Sequence, residues 1–369
     1  MPHWIDTPAA LRAALAAPPP VIGLDTEFIR ERTYWPQLAL VQIALADADD
    51  AILLVDALAP GIAPVLAGLL ADPGVLKVMH SPSEDLIALG RACGTSPAPL
   101  FDTQQAAALA GLGAGLGYQK LVQALTGITL DKGETRSDWL RRPLSAAQLD
   151  YAAADVRHLH ALHAQLAQRL QALGRSEWEA EDSARLLAQA GGDGGERWPH
   201  LALRSAQFLD QAGQRRLLRL LRWRDAQARA KDRPRGWILD NELAVALARA
   251  APRDRAALDR VLDASPKAPR GLRDALWDAI ATPLADEADA PLARAEERDR
   301  ERLRALQAAV RARAEQLGLP ETVLAPRRLL EALLDGPAWP PALSGWRRAQ
   351  LEPELAPLLA VGKPAPASL

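Results

Sequence analysis

Cysteine is almost absent from this 369-residue chain: Cys93 stands alone. It can form no internal disulfide and no cysteine-rich zinc site, and it suits a reducing, cytoplasmic setting. No apolar run approaches the roughly 18–20 residues that cross a bilayer, so no membrane association is expected. The start, Met1-Pro2-His3-Trp4-Ile5-Asp6, has neither the basic opening nor the apolar stretch of a signal peptide. No Gly-Lys-Ser/Thr phosphate loop occurs. The glycine-rich stretch 111–117 lacks that ending, so no nucleotide cofactor is expected. Strand-like alternation ceases after residue 200. What remains is ordinary for a globular protein, 49% hydrophobic and 24% charged, with length for two or three domains.

A net charge of −2 hides a split. Residues 1–200 carry 15 basic and 23 acidic side chains, residues 201–280 carry 17 and 10, and residues 281–369 carry 12 and 13. An acidic region beside a basic one suits a metal site on one domain and a polyanion-binding face on another. Two segments read as linkers: 191–196, with four glycines, and 281–291, rich in proline and acid.

The part before the first linker reads as mixed α/β. Residues 21–28, 38–45, 52–56, 76–80 and 100–102 have strand patterns. Residues 64–70, 83–93 and 118–125 read as helices, another opens at Asp102, and one long helix is expected over 145–173 behind a Ser-x-x-Gln cap. The remainder, rich in alanine, leucine and arginine, reads as two small helical bundles.

Acidic residues recur where apolar ones are expected. Asp25 and Glu27 are two apart on a strand and so share a face. Asp85 lies in the first turn of a helix. Tyr151 and Asp155 are four apart on the long helix and also share a face. If those helices pack beside the first strand, the carboxylates converge and repel one another, and divalent cations relieve that repulsion. Hard oxygen donors select Mg²⁺ or Mn²⁺, and a pair of such ions is the usual apparatus for in-line attack on a phosphodiester. Taken singly, Asp25 could instead cap a turn, Asp85 cap a helix, and Asp155 pair with Arg157 or His158. His158, His160 and His163 invite a zinc reading, but His158 and His160 point to different faces and no fourth ligand is evident. Cys93 reads as a small buried hydrophobe.

These blocks resemble the three motifs of the DEDD superfamily of 3′→5′ exonucleases, in the subgroup whose third motif is Tyr-x-x-x-Asp. Their wording is similar to the bacterial ribonuclease D family. The similar stretches are Leu24-Asp25-Thr26-Glu27-Phe28, Thr33-Tyr34-Trp35-Pro36-Gln37-Leu38, Ser83-Glu84-Asp85-Leu86, Phe101-Asp102-Thr103-Gln104, Leu130-Asp131-Lys132, Asp138-Trp139-Leu140 and Tyr151-Ala152-Ala153-Ala154-Asp155-Val156. The resemblance implies a ribonuclease H-like mixed sheet flanked by helices over residues 1–190. It also implies an exoribonuclease that releases nucleoside 5′-monophosphates from RNA 3′ ends, in transfer RNA maturation. Asp25, Glu27 and Asp155 would hold one metal; Asp25 would also bridge to a second, with Asp85 contributing. Tyr151 would orient the attacking water. Phe28 would either pack on the terminal base or belong to the core.

Residues 214–235 hold nine basic side chains and two acidic ones. A solvated face is the ordinary reading of such a run, but its single sign favours phosphate contacts. Arg222, Arg229, Lys231 and Arg235 are the candidate RNA contacts. The stretch Arg233-Pro234-Arg235-Gly236-Trp237-Ile238-Leu239 resembles the start of an HRDC domain, which implies one such module over 203–283. A diverged copy is implied over 295–365, where Leu343-Ser344-Gly345-Trp346-Arg347 is similar to the family. The expected partner is RNA, transfer RNA precursors above all, and the expected state is a monomer. A DNA exonuclease and an inactive nucleic-acid-binding scaffold remain as alternatives.

Overall fold

The computed structural model describes residues 1–130, 137–192, 195–266, 268–293, 300–336 and 338–360. Asp131 and Lys132 of the family-like stretches, and Asp193 and Gly194 of the segment 191–196, lie outside them. By contacts the chain divides into two units. One comprises Met1–Ile29, Gln37–Gly192 and Arg298–Leu369; the other comprises Arg30–Pro36 and Asp193–Glu297.

Among the described residues six strands form one sheet in the first unit. They are β1 (His3–Ile5), β2 (Val21–Ile29), β3 (Gln37–Ala44), β4 (Ile52–Asp56), β5 (Leu76–Met79) and β6 (Leu100–Asp102), in spatial order β1-β4-β3-β2-β5-β6. β2–β3 and β3–β4 run antiparallel; β1–β4, β2–β5 and β5–β6 run parallel. The mixed sheet is therefore as expected, with β1 added. Three residues are too few to show an alternation, so β1 had no legible pattern.

β3 is buried at every position but Gln37, as a strand covered on both faces must be. On one face Ile22 and Leu24 of β2 pack with α1 (Pro8–Ala14), α2 (Ile62–Ala71) and α3 (Ser83–Cys93). On the other lie α4 (Thr103–Leu109), α5 (Tyr118–Thr126), α6 (Ala146–Arg157) and α7 (Leu159–Ala172). Gly23 faces this second layer. A Cβ there would stand 3.0 Å from that of Leu159, a tight contact, so glycine eases the close approach of the start of α7 to β2.

The long helix expected over 145–173 is two helices. Its start is as read: Ser145 accepts from the Gln148 amide, and the Gln148 side chain accepts from the Ser145 amide. The break comes at His158. In an unbroken helix the His158 N–H would bond to the Ala154 carbonyl. Instead it donates to the Tyr118 hydroxyl at 3.1 Å, and that hydroxyl donates to the Ala154 carbonyl at 3.2 Å. A side chain inserted into the hydrogen-bond ladder is an established cause of helix interruption. The inserting residue comes from α5, so local sequence could not show it.

α8 (Ser176–Gly191) joins this unit to its C-terminal helices α14 (Arg300–Leu317), α15 (Glu321–Leu324), α16 (Arg327–Asp335) and α17 (Trp346–Ala360). Trp178 and Trp346 stack with ring centroids 4.3 Å apart and planes 5° from parallel. Buried Asp182 accepts from both terminal nitrogens of buried Arg347, from Arg185, from the Trp346 indole and from Gln105.

In the second unit α9 (Gln211–Lys231) is the spine, packed by α10 (Arg235–Ile238), α11 (Asn241–Ala250), α12 (Arg255–Asp263) and α13 (Arg273–Ala281) around Leu217, Leu220, Leu247 and Leu276. The acidic segment 281–291 is not a loose linker. Glu287 takes a two-pronged pair from Arg219 and Asp286 one from Arg222, which fasten it along α9. Its acids had a partner that composition alone could not assign.

Removing one member of a buried ion pair leaves the other uncompensated, at about 3–5 kcal/mol. Asp182→Ala is expected to lower the free energy of unfolding by about that amount, read from its urea midpoint, and to strip the C-terminal helices of their docking on α8.

Candidate active site

β2 delivers the first two acids. Alternation turns Asp25 and Glu27 toward the α6–α7 layer, while Thr26 between them points the other way. Thr26 is buried and donates to Asp85 Oδ1 at 2.5 Å, so a strand hydroxyl anchors the acid in the first turn of α3. α6 crosses the other face and brings Tyr151 and Asp155, whose side chains hydrogen-bond each other. Trp139, buried before α6, lies with its ring centroid 6.1 Å from that of Tyr151.

The four carboxylates are close enough to disturb one another. Burial and the charges of Asp85, Asp155 and Glu27 hold Asp25 well above the usual carboxylate range. Burial, then Asp155 and Asp85, push Glu27 up to about 8. Burial raises Asp155 to about 6 against the hydrogen bond from Tyr151 that favours its charge. Asp85 is raised by burial and restrained by Thr26. The Tyr151 phenol is pushed up by burial and by Asp155 and Glu27, so it stays protonated and can donate. Repulsion of this kind marks a site for added positive charge.

The donor set fits a hard divalent cation: clustered carboxylate oxygens without thiolates. A second sign lies on β3. Gln42 stands opposite Asp25 and is fully buried, yet neither its amide nitrogen nor its oxygen has a hydrogen-bond partner. Among the described residues no group of three or more acidic, histidine or cysteine side chains is arranged to hold a metal ion as the side chains stand. Asp85 and Asp155 instead meet hydroxyl donors, Thr26 and Tyr151. His160 bonds the Ala44 carbonyl at 3.0 Å and His163 packs edge-on against Phe101. Cys93 is partly buried, and burial lifts its thiol to about 11, which suits an inert side chain.

Phe28 packs with the α2–α3 core, after an irregularity in the β2–β3 register. The basic run is largely engaged within its own unit. Arg222 pairs with Asp286; Arg229 and Arg235 both pair with Asp225 and both donate to the Tyr34 hydroxyl. Lys231 is exposed. Thr26 and Tyr118 were not singled out from sequence. A hydroxyl on the apolar face of β2 was a legible hint of the first; nothing local marked the second.

A family profile described as 3′-5′ exonuclease matches residues 2–171, and an HRDC domain profile matches residues 213–270. Ribonuclease D of Xanthomonas oryzae pv. oryzae is 59% identical over 361 residues, 97% of this chain and 99% of that one. The chain belongs to the ribonuclease D family. Ribonuclease D of Pseudomonas paraeruginosa is 37% identical over 342 residues, 90% of each chain. The crystal structure of Escherichia coli RNase D, an exoribonuclease involved in structured RNA processing, superposes with a TM-score of 0.81 at 30% identity, over 97% of this chain and 98% of that one. As a member of this family the chain is a phosphodiester hydrolase that degrades RNA from its 3′ end. No described helix is long and apolar enough to cross a membrane.

The raised acids fix a sign. Glu27 and Asp155 keep protons in the folded chain that the unfolded chain has already released, so metal-free stability falls as pH rises through about 6 for Asp155 and about 8 for Glu27. The thermal midpoint of metal-free protein is expected to drop between those values. Added Mn²⁺ should raise it more at the upper end than at the lower. A midpoint flat in pH and indifferent to Mn²⁺ would contradict the shared site.

Proposed function

We propose that the chain trims the 3′ ends of structured RNA, transfer RNA precursors in particular, with two divalent ions held by Asp25, Glu27, Asp85 and Asp155. The observation that carries this reading is the convergence of these acids, with mutual repulsion lifting Asp25 and Glu27, beside a phenol that donates to Asp155. Two bound Mg²⁺ or Mn²⁺ ions would supply the positive charge that activates water and stabilises the leaving oxygen. Asp25, Glu27 and Asp155 would hold one ion, and Asp25 and Asp85 would serve the other. Thr26 keeps Asp85 oriented. Tyr151, protonated at neutral pH, orients the attacking water by hydrogen bonding. The product is a nucleoside 5′-monophosphate.

In this reading the chain divides into an exonuclease domain over 1–190, an HRDC domain over 203–283 and an HRDC-like domain over 295–365, acting as a cytoplasmic monomer. The E. coli relative's involvement in structured RNA processing supports the choice of substrate. Exposed Lys231 remains the best placed of the four basic candidates for a phosphate. Arg222, Arg229 and Arg235 contribute field and shape, since their guanidiniums already have carboxylate partners. The side chain of Phe28 serves packing before base contact.

Matched RNA and DNA oligonucleotides with a recessed or single-stranded 3′ end test the assignment. Mn²⁺-dependent release of mononucleotides from the RNA is expected. Asp25→Asn and Asp155→Asn should each lower kcat by roughly three orders of magnitude or more while RNA binding persists, the scale of losing an essential catalytic group. Equal turnover in EDTA, or preference for the DNA, would overturn it.

A further inference from the structure

The α6–α7 break lies three residues beyond Asp155, and a single hydroxyl sits in it. The Tyr118 phenol occupies the place of one helical hydrogen bond, receiving the His158 amide and giving its proton to the Ala154 carbonyl. Ala154 immediately precedes Asp155. The phenol also lies within electrostatic reach of Asp155 and Asp25. Its ring is held by His80 at 5.7 Å, edge to face, and His80 in turn bonds Thr103. Beyond the break, Leu159 seats on Gly23, two residues before Asp25 on the same face of β2. The junction is therefore clamped from two sides, and Asp155 hangs from it over Asp25 and Glu27.

We propose that Tyr118 is a positioning residue for catalysis: by splitting the helix at His158 it sets where Asp155 enters the carboxylate cluster. The phenol touches neither RNA nor metal in this role. Without its oxygen the Ala154 carbonyl and His158 amide can close their own helical bond. The last turn of α6 then tightens, and the Asp155 carboxylate shifts relative to Asp25.

The inference rests on Asp155 being a metal ligand, as proposed above, so the test separates the two. Tyr118→Phe keeps the ring and removes the oxygen. Val122→Ala removes packing from the buried face of the same helix without touching the junction. In full-length protein, kcat, KM for RNA, Mn²⁺ affinity by calorimetry and metal-free thermal midpoint are compared. Tyr118→Phe should lose roughly ten- to hundredfold in kcat, the range for a catalytic group displaced by up to about 1 Å. Its Mn²⁺ affinity should weaken with KM little changed, while Val122→Ala lowers the midpoint and leaves both kcat and Mn²⁺ affinity intact. Wild-type kcat and Mn²⁺ affinity in Tyr118→Phe would overturn the inference, as would equal losses in Val122→Ala. If wild-type protein itself binds no Mn²⁺, the reading of Asp155 falls, and this inference with it.

Discussion

Repulsion among carboxylates kept out of water is the constraint on which the rest of this structure depends. A buried charge is tolerated only with a partner, a proton or a cation. Among the described residues no basic side chain pairs with Asp25 or Glu27: the side-chain hydrogen bonds reaching the cluster come from Thr26 and Tyr151, which are neutral. The scaffold holds the acids together against their preference. β2 fixes two by alternation, α3 brings the third under the Thr26 hydroxyl, and the α6–α7 junction brings the fourth. Each device is local, as suits the cation site proposed above.

What could be read in advance follows from where each cause resides. Asp25 and Glu27 were legible because strand alternation is a property of neighbours, and Tyr151 and Asp155 because helical spacing is too. The Ser145–Gln148 cap was legible for the same reason. The break at His158 was not, since the oxygen that makes it belongs to Tyr118, forty positions away. β1 was hidden by its three-residue length. Convergence of the four acids could be supposed from their isolation in apolar surroundings, but only packing could show that Thr26 rather than a basic residue steadies Asp85.

The arginines of α9 teach a related lesson. Their one-sided charge read as a surface for phosphate, yet Arg219, Arg222, Arg229 and Arg235 find carboxylates within their own unit. Two of those acids, Asp286 and Glu287, sit in a stretch whose composition resembled a tether. Charge counts over a segment describe the field it casts at long range; they do not say which groups remain unpaired. At the other end, Trp346 and Arg347, part of a stretch similar to the family, serve to dock α17 on α8.

Calorimetric titration of full-length protein with Mn²⁺ near neutral pH, repeated in two buffers of different ionisation heat, tests the central claim most directly. The account requires divalent-ion binding with a net release of protons, because Glu27, raised to about 8, must surrender its proton to bind. Binding without proton release, or saturation that survives Asp25→Asn unchanged, would show that these acids are not the seat of the metal.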